Sequence, residues 1–281
     1  MGSTYRPNLL SGAVLRHDRG MAGMSITVCL PGTAAGRVDE AVKNAMAPFE
    51  VDYTSGEELA MWDHARICGG ADGHGFPVLP AHEGDPRLIH DRPRHDGTLE
   101  SSRTGMCAGG PRELLDFNAT RAEAEEVAGE AWDVWHSVPA HHPPAESQTS
   151  LYRRTGLSGP RYWNQPLLRA FEEKLSTLRR AHRTHRFSSA LLSSTDPVED
   201  IGAVSRAKFV AWQGDLVPSP RNVLSLDGWW YEVGDVRLHG ACHSPAQCQH
   251  EPDVGEGQAT VAAYLAGVSA DTLLVHVHCH V

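Results

Sequence analysis

Apolar positions along this chain alternate between a period of two and a period near 3.6, and the switches mark its elements. Ser25-Ile26-Thr27-Val28-Cys29-Leu30 reads as a strand closed by Pro31-Gly32. Val38, Val42, Met46 and Phe49 follow at helical spacing and predict a helix over about 36–47, with Pro48 at its end. Residues 60–68 predict a second strand, so the three segments form a β-α-β unit. A capping box, Thr120-Arg121-Ala122-Glu123, opens a helix over 120–138, with Val127, Ala131, Val134, Trp135 and Val138 as its stripe. A polar connector reaches about residue 163, and Asn164-Gln165-Pro166 starts a further helix. Asp196-Pro197, with Glu199 and Asp200 behind, starts a last central helix that Gly214 ends. Val223–Leu226 and Trp229–Val233 flank Asp227-Gly228, predicting a hairpin with a two-residue turn. Val261, Tyr264, Leu265 and Val268 mark a short helix.

The chain closes on Leu273-Leu274-Val275-His276-Val277-His278-Cys279-His280-Val281. In a strand, alternate side chains face opposite ways. Leu273, Val275, Val277, Cys279 and Val281 therefore share an apolar face, and His276, His278 and His280 line the other. The pattern as a whole predicts an α+β fold: one mixed or antiparallel sheet built from both chain ends, with a mainly helical insert over 113–214. Residues 1–24 show no period and read as a flexible extension, leaving 25–281 as a single domain. With helices on one face of the sheet, the opposite face is free to carry a site.

Composition narrows the partners. The 281 residues carry a net charge of −10, which argues against nucleic acid or an anionic membrane. No apolar run approaches the ~20 residues of a membrane span. Lysine is rare: only Lys43, Lys174 and Lys208 among 25 basic residues. Together with abundant Ala, Gly and Pro, this matches the coding bias of a GC-rich bacterium. Six scattered cysteines and no secretory segment suggest reduced thiols in a cytoplasmic protein.

Histidine is the outlier, with 17 copies. Histidines at i and i+2 on a strand can share one metal, so His276, His278 and His280 are candidate ligands for zinc or iron. A further ligand is available from the loop that holds His239, Cys242, His243, Cys248 and His250; Cys242 and His250 are taken as its contributors. The Cys-x5-Cys-x-His spacing by itself matches no standard structural zinc motif. Three ligands would leave a position for water, whose pKa on zinc falls towards ~7. That chemistry suits a hydrolase or lyase acting on a small anionic molecule.

Two other readings need no metal. Asp63 and His64, beside the glycine turn Gly69-Gly70-Ala71-Asp72-Gly73, can combine with His278 or His280 as base and orienter in an acid–base tailoring enzyme of specialised biosynthesis. Arg183 and Arg186, at a basic helix end, are its candidate anion binders. The glycine turn could itself offer N–H groups to an anion, though a plain turn is the simpler reading. Alternatively, Trp132, Trp135, Trp163, Trp212, Trp229 and Trp230 could supply a patch for a protein partner, making the chain a non-catalytic subunit of a complex.

Met61-Trp62-Asp63-His64-Ala65-Arg66-Ile67-Cys68-Gly69-Gly70 loosely resembles a stretch in uncharacterised proteins of actinobacteria and their phages. There an aromatic-acid pair leads through isoleucine to a Gly-Gly turn. Asp227-Gly228-Trp229-Trp230 is similar to a second segment of those proteins, and Cys279-His280 to their closing strand. The resemblance covers both chain ends, departs at Cys68 and Ala71-Asp72, and leaves out the helical middle. It implies one fold built from the two termini and no particular activity.

Overall fold

The computed structural model describes residues 24–51, 62–138, 142–156, 160–181, 196–215, 222–232, 237–240, 242, 248–250 and 258–280. The chain divides into two compact units, one of Met1–Asp116 with Pro218–Val281 and one of Phe117–Val217.

The first unit is an α+β sheet drawn from both chain ends. Its strands are β1 (Met24–Leu30), β2 (His64–Ile67), β5 (Gly109–Pro111), β6 (Asn222–Leu224), β7 (Trp229–Glu232), β8 (Arg237–His239) and β9 (Leu273–His280); β3 (Phe76–Pro77) and β4 (Met106–Cys107) pair separately. The order is β2-β9-β1-β6-β7-β8, with β5 also on β9. Only β1–β6 is parallel among the pairings of this sheet. β9 therefore lies between β1 and β2, antiparallel to both. The expected β-α-β unit is thus split by the strand that ends the chain.

The apolar face of β9 packs as its alternation predicts. Leu273, Val275, Val277 and Cys279 are buried with Ile26, Val28 and Leu30 of β1 and with Val38, Val42 and Met46 of helix α1 (Val38–Met46). Leu224 and Trp230 extend this core, and the Trp230 ring lies 5.0 Å from that of Phe49.

Two local expectations change, at the hairpin loop and at the glycine turn. The hairpin loop is longer than two residues. Ser225 O accepts from Gly228 N at 3.1 Å, Ser225 N donates to Trp229 O, and Gly228 sits at φ +82°. That is the three-residue loop, with glycine in the left-handed position, that follows next in frequency after two-residue turns. The stretch 77–112, which has no sequence period, is nonetheless ordered. It holds β4 and β5, bridges Val78 to Leu115 and Ile89 to Gly109, and buries Leu88 and Ile89. The glycine turn also finds its anion internally. The Asp91 carboxylate accepts from Gly69 N at 2.6 Å and Ala71 N at 3.0 Å, and from the Ser102 hydroxyl at 3.1 Å.

The second unit is helical: α2 (Phe117–Ser137), α3 (Gln148–Thr155), α4 (Pro160–Trp163), α5 (Pro166–Ala181) and α6 (Arg206–Asp215). α3 and α4 occupy what reads as a polar connector. α2 starts three residues before Thr120, which is buried inside it. The last central helix is broken in two. A π turn, Pro197–Ile201, is capped by Asp196 and stops at Gly202, where an added Cβ would lie 2.9 Å from Val198 O and 3.1 Å from Trp135 Nε1. Trp132 Nε1 then donates to Val204 O, and α6 begins at Arg206. Ala128, Ala131, Phe171, Leu175, Ile201 and Phe209 form the core of this unit.

Candidate metal centre

The site is built on the last hairpin. β7 and β8 pair with Trp230 opposite Leu238 and Trp229 opposite His239. Trp230 and Leu238 belong to the core that α1 covers. By the alternation of a strand, Trp229 and His239 point to the other face. There the two rings stack, with centroids 4.4 Å apart and planes 9° apart. His239 is only 6% exposed.

The chain then turns sharply. Gly240 N donates to Gly228 O, and an added Cβ on Gly240 would lie 3.0 Å from the Phe49 ring and from Pro48. Cys242 N donates back to His239 O at 3.1 Å, so the Cys242 thiol returns over the histidine. Cys242 Sγ lies 3.4 Å from His239 Nδ1, 3.3 Å from Cys248 Sγ and 3.3 Å from His250 Nδ1. Cys248 Sγ closes the figure, 3.3 Å from His239 Nδ1 and 3.4 Å from His250 Nδ1. All four donor atoms lie within 4.8 Å of one another. This Cys2His2 group can hold a metal ion. Zinc–sulfur bonds of ~2.3 Å and zinc–nitrogen bonds of ~2.0–2.1 Å give tetrahedral edges of roughly 3.5 Å between sulfur and nitrogen and roughly 3.8 Å between sulfurs; the sulfur–nitrogen edges here fall about 0.2 Å short and the sulfur–sulfur edge about 0.5 Å short.

The tautomer of His239 follows from its outer contact. Nε2 lies 3.0 Å from Asp227 O, and a carbonyl only accepts, so Nε2 carries the proton. The Nδ1 lone pair is then left facing the thiols, the arrangement by which proteins orient metal-binding histidines. The four side chains draw on the end of β8, the turn after it and residues 248–250. No family model, curated protein or solved structure matches this chain.

The expected ligands sort into two groups. Cys242 and His250 come together, joined by His239 and Cys248, which the sequence offers only as optional third ligands. His276, His278 and His280 do not join them: among the described residues the tetrad is the one group with metal-holding geometry. The reason lies in the sheet. His276 is buried, and its Nδ1 donates to Cys68 O at 2.6 Å. His280 Nδ1 lies 3.0 Å from Asp63 Oδ1. His278 is solvent-accessible beside Arg66, and partial desolvation, with the Arg66 charge second, pushes its pKa down. His243, Arg183 and Arg186 lie outside the described residues.

Of the acid–base candidates, Asp63 and His280 are brought together. Asp63 N donates to His280 O, which places its carboxylate against that ring. The usable signal for the metal group is two close ligand pairs, His239 with Cys242 and Cys248 with His250, separated by a short loop. Cys29, Cys68 and Cys279 are buried; burial pushes the Cys68 thiol up to about 11 and the Cys279 thiol up to about 12, leaving both poor nucleophiles.

Proposed function

We propose that this chain is a zinc protein whose Cys2His2 centre is structural. The observation that carries this reading is the convergence of His239, Cys242, Cys248 and His250 within 4.8 Å. Two thiolates and two imidazoles suit zinc better than the oxygen-seeking divalent ions. Four protein ligands close the shell, whereas catalytic zinc keeps a position for water. The metal-hydroxide chemistry drawn from the terminal histidines therefore gives way to a clamp that fixes the 239–250 loop to the edge strand. Metal analysis of tag-free protein tests it. One zinc per chain, lost in a Cys242→Ser/Cys248→Ser variant, is expected. Metal-free protein with unchanged folding would sink the reading.

A second reading concerns chemistry, and one contact favours it. The 3.0 Å pair of Asp63 and His280 is a carboxylate-oriented imidazole, the unit from which general bases are made. The His280 side chain is 40% exposed, so Nε2 is within reach of a ligand. On this reading the protein is an acid–base enzyme of a small anionic molecule whose chemistry needs no metal, with zinc serving the fold alone. A substrate screen in which Asp63→Asn removes turnover but retains zinc tests it; turnover that survives the substitution overturns it.

A further inference from the structure

The strand pairing around that dyad brings four cation-forming side chains together. His64 lies directly across from His280, and Arg66 directly across from His278. Direct cross-strand partners share a face, with Cβ atoms ~4.5–5.5 Å apart, and residues two apart on a strand are separated by ~7 Å. His64, Arg66, His278 and His280 thus occupy the corners of a small rectangle on one sheet face. Ser25 on β1, paired with His278, adds a hydroxyl at its border. The face is open: His64 and His278 are exposed, and Arg66, His280 and Ser25 are half-buried.

Other charges bear on the patch. Arg66, His74 and His280 act on His278 as like charges and Asp72 as the opposing one. Asp63 is engaged with His280. Arg66 Nη1 is anchored by donating to Arg92 O at 3.2 Å, which holds the guanidinium at the strand without neutralising it.

We infer that His64, Arg66, His278 and His280 form a binding site for a tetrahedral oxyanion, the phosphate group of a phosphorylated small molecule. The spacing suits an ion that spans neighbouring corners and takes a hydrogen bond from each. Guanidinium recognises phosphate through charge-assisted hydrogen bonds, and an imidazole N–H can donate to the anion beside it. The protein carries a net charge of −10, so a local cluster of this kind runs against its background. The inference rests on the acid–base reading for what then happens to the ligand, and on the β2–β9 register for binding itself. It places an anion site on the sheet, whereas the anion binders expected from the sequence, Arg183 and Arg186, lie outside the described residues.

The test titrates the full-length zinc-loaded chain with inorganic phosphate and follows histidine ring nitrogens by NMR, assigned with single His→Gln variants. Phosphate is expected to move His64, His278 and His280 but not His276 or His239. Arg66→Met and His278→Gln should each weaken binding about tenfold, the loss of one charge-assisted hydrogen bond. Absence of shifts, shifts reproduced by chloride at equal ionic strength, or affinity unchanged in Arg66→Met would overturn the site. Asp63→Asn separates the two readings. Phosphate binding retained there, with the His280 tautomer and titration unaltered, upholds the anion site and removes the acid–base role.

Discussion

The Nε2 of His239 donates to the backbone carbonyl of Asp227, 3.0 Å away across the hairpin loop. One turn residue thereby selects which nitrogen of a buried histidine faces the two thiols. The stack on Trp229 fixes the ring plane, so two contacts outside the tetrad orient the imidazole.

The first prediction follows from these two contacts. Cobalt added to apo-protein should give the intense ligand-field and thiolate charge-transfer bands of a tetrahedral sulfur–nitrogen site. Cys242→Ser/Cys248→Ser should abolish the charge-transfer band. Trp229→Leu, which keeps all four ligands, should weaken metal affinity by about 10–100-fold, the range for losing an outer-shell support. An unchanged affinity in Trp229→Leu would show that the stack does not orient the ligand.

The second concerns how the loop is tethered. A methyl group on Gly240 would press at 3.0 Å on Phe49, which is fully buried, and on Pro48. Gly240→Ala should cost about 1–3 kcal/mol by overpacking. Because the same turn aims Cys242, thermal stability and zinc affinity should fall together, measured by calorimetry and by competition with a chelator. A loss of stability at full zinc affinity would separate the turn from the site.

These relationships differ in how far the sequence displays them. The apolar face of β9 was legible from its alternation, and Leu273, Val275, Val277 and Cys279 are buried as a set, although Leu274 and His276 on the other face are buried too. The mixed α+β sheet from both chain ends followed from the same pattern. The position of β9 between β1 and β2 was not legible, since periodicity says which face is buried and nothing about which strand is the neighbour. The histidine face went astray for that reason. His276 and His280 met Cys68 O and Asp63, partners that the strand order supplies. The metal group was half legible: His239 ends β8 and its partners follow in a segment without a period, and only folding shows that the His239 ring turns towards Cys242.

The third prediction concerns the glycine turn. The Asp91 carboxylate is 7% exposed and accepts from Gly69 N, Ala71 N and the Ser102 hydroxyl. Asp91→Ala leaves those donors without an acceptor in a buried setting, at about 1–3 kcal/mol for an unsatisfied group. Chemical denaturation should show a lower midpoint, and amide exchange at Gly69 and Ala71 should speed up. Exchange that stays slow would mean that the turn holds without its internal anion.

The fourth lies in the helical unit and concerns pH. Asp200 accepts from Asp196 N at 2.7 Å, yet burial, followed by the nearby Asp196 and Glu199 charges, pushes its pKa up to about 6. An ordinary aspartate in the unfolded chain titrates near 3.8. The folded state therefore binds this proton more tightly, and the group's contribution to stability is complete below pH ~4 and is lost as the pH rises through ~6. Above that, the fold carries an ionised carboxylate held partly out of water. With a discount for the solvent that still reaches it, the penalty is about 1–2 kcal/mol. An asparagine side chain at this position would keep an oxygen for Asp196 N without the charge. Asp200→Asn should therefore match the parent near pH ~3, begin to exceed it above pH ~4 and exceed it in stability by that amount near pH ~8, read as denaturation midpoints across the range. Parallel profiles for the two proteins would show that Asp200 ionises in the fold as it does in water.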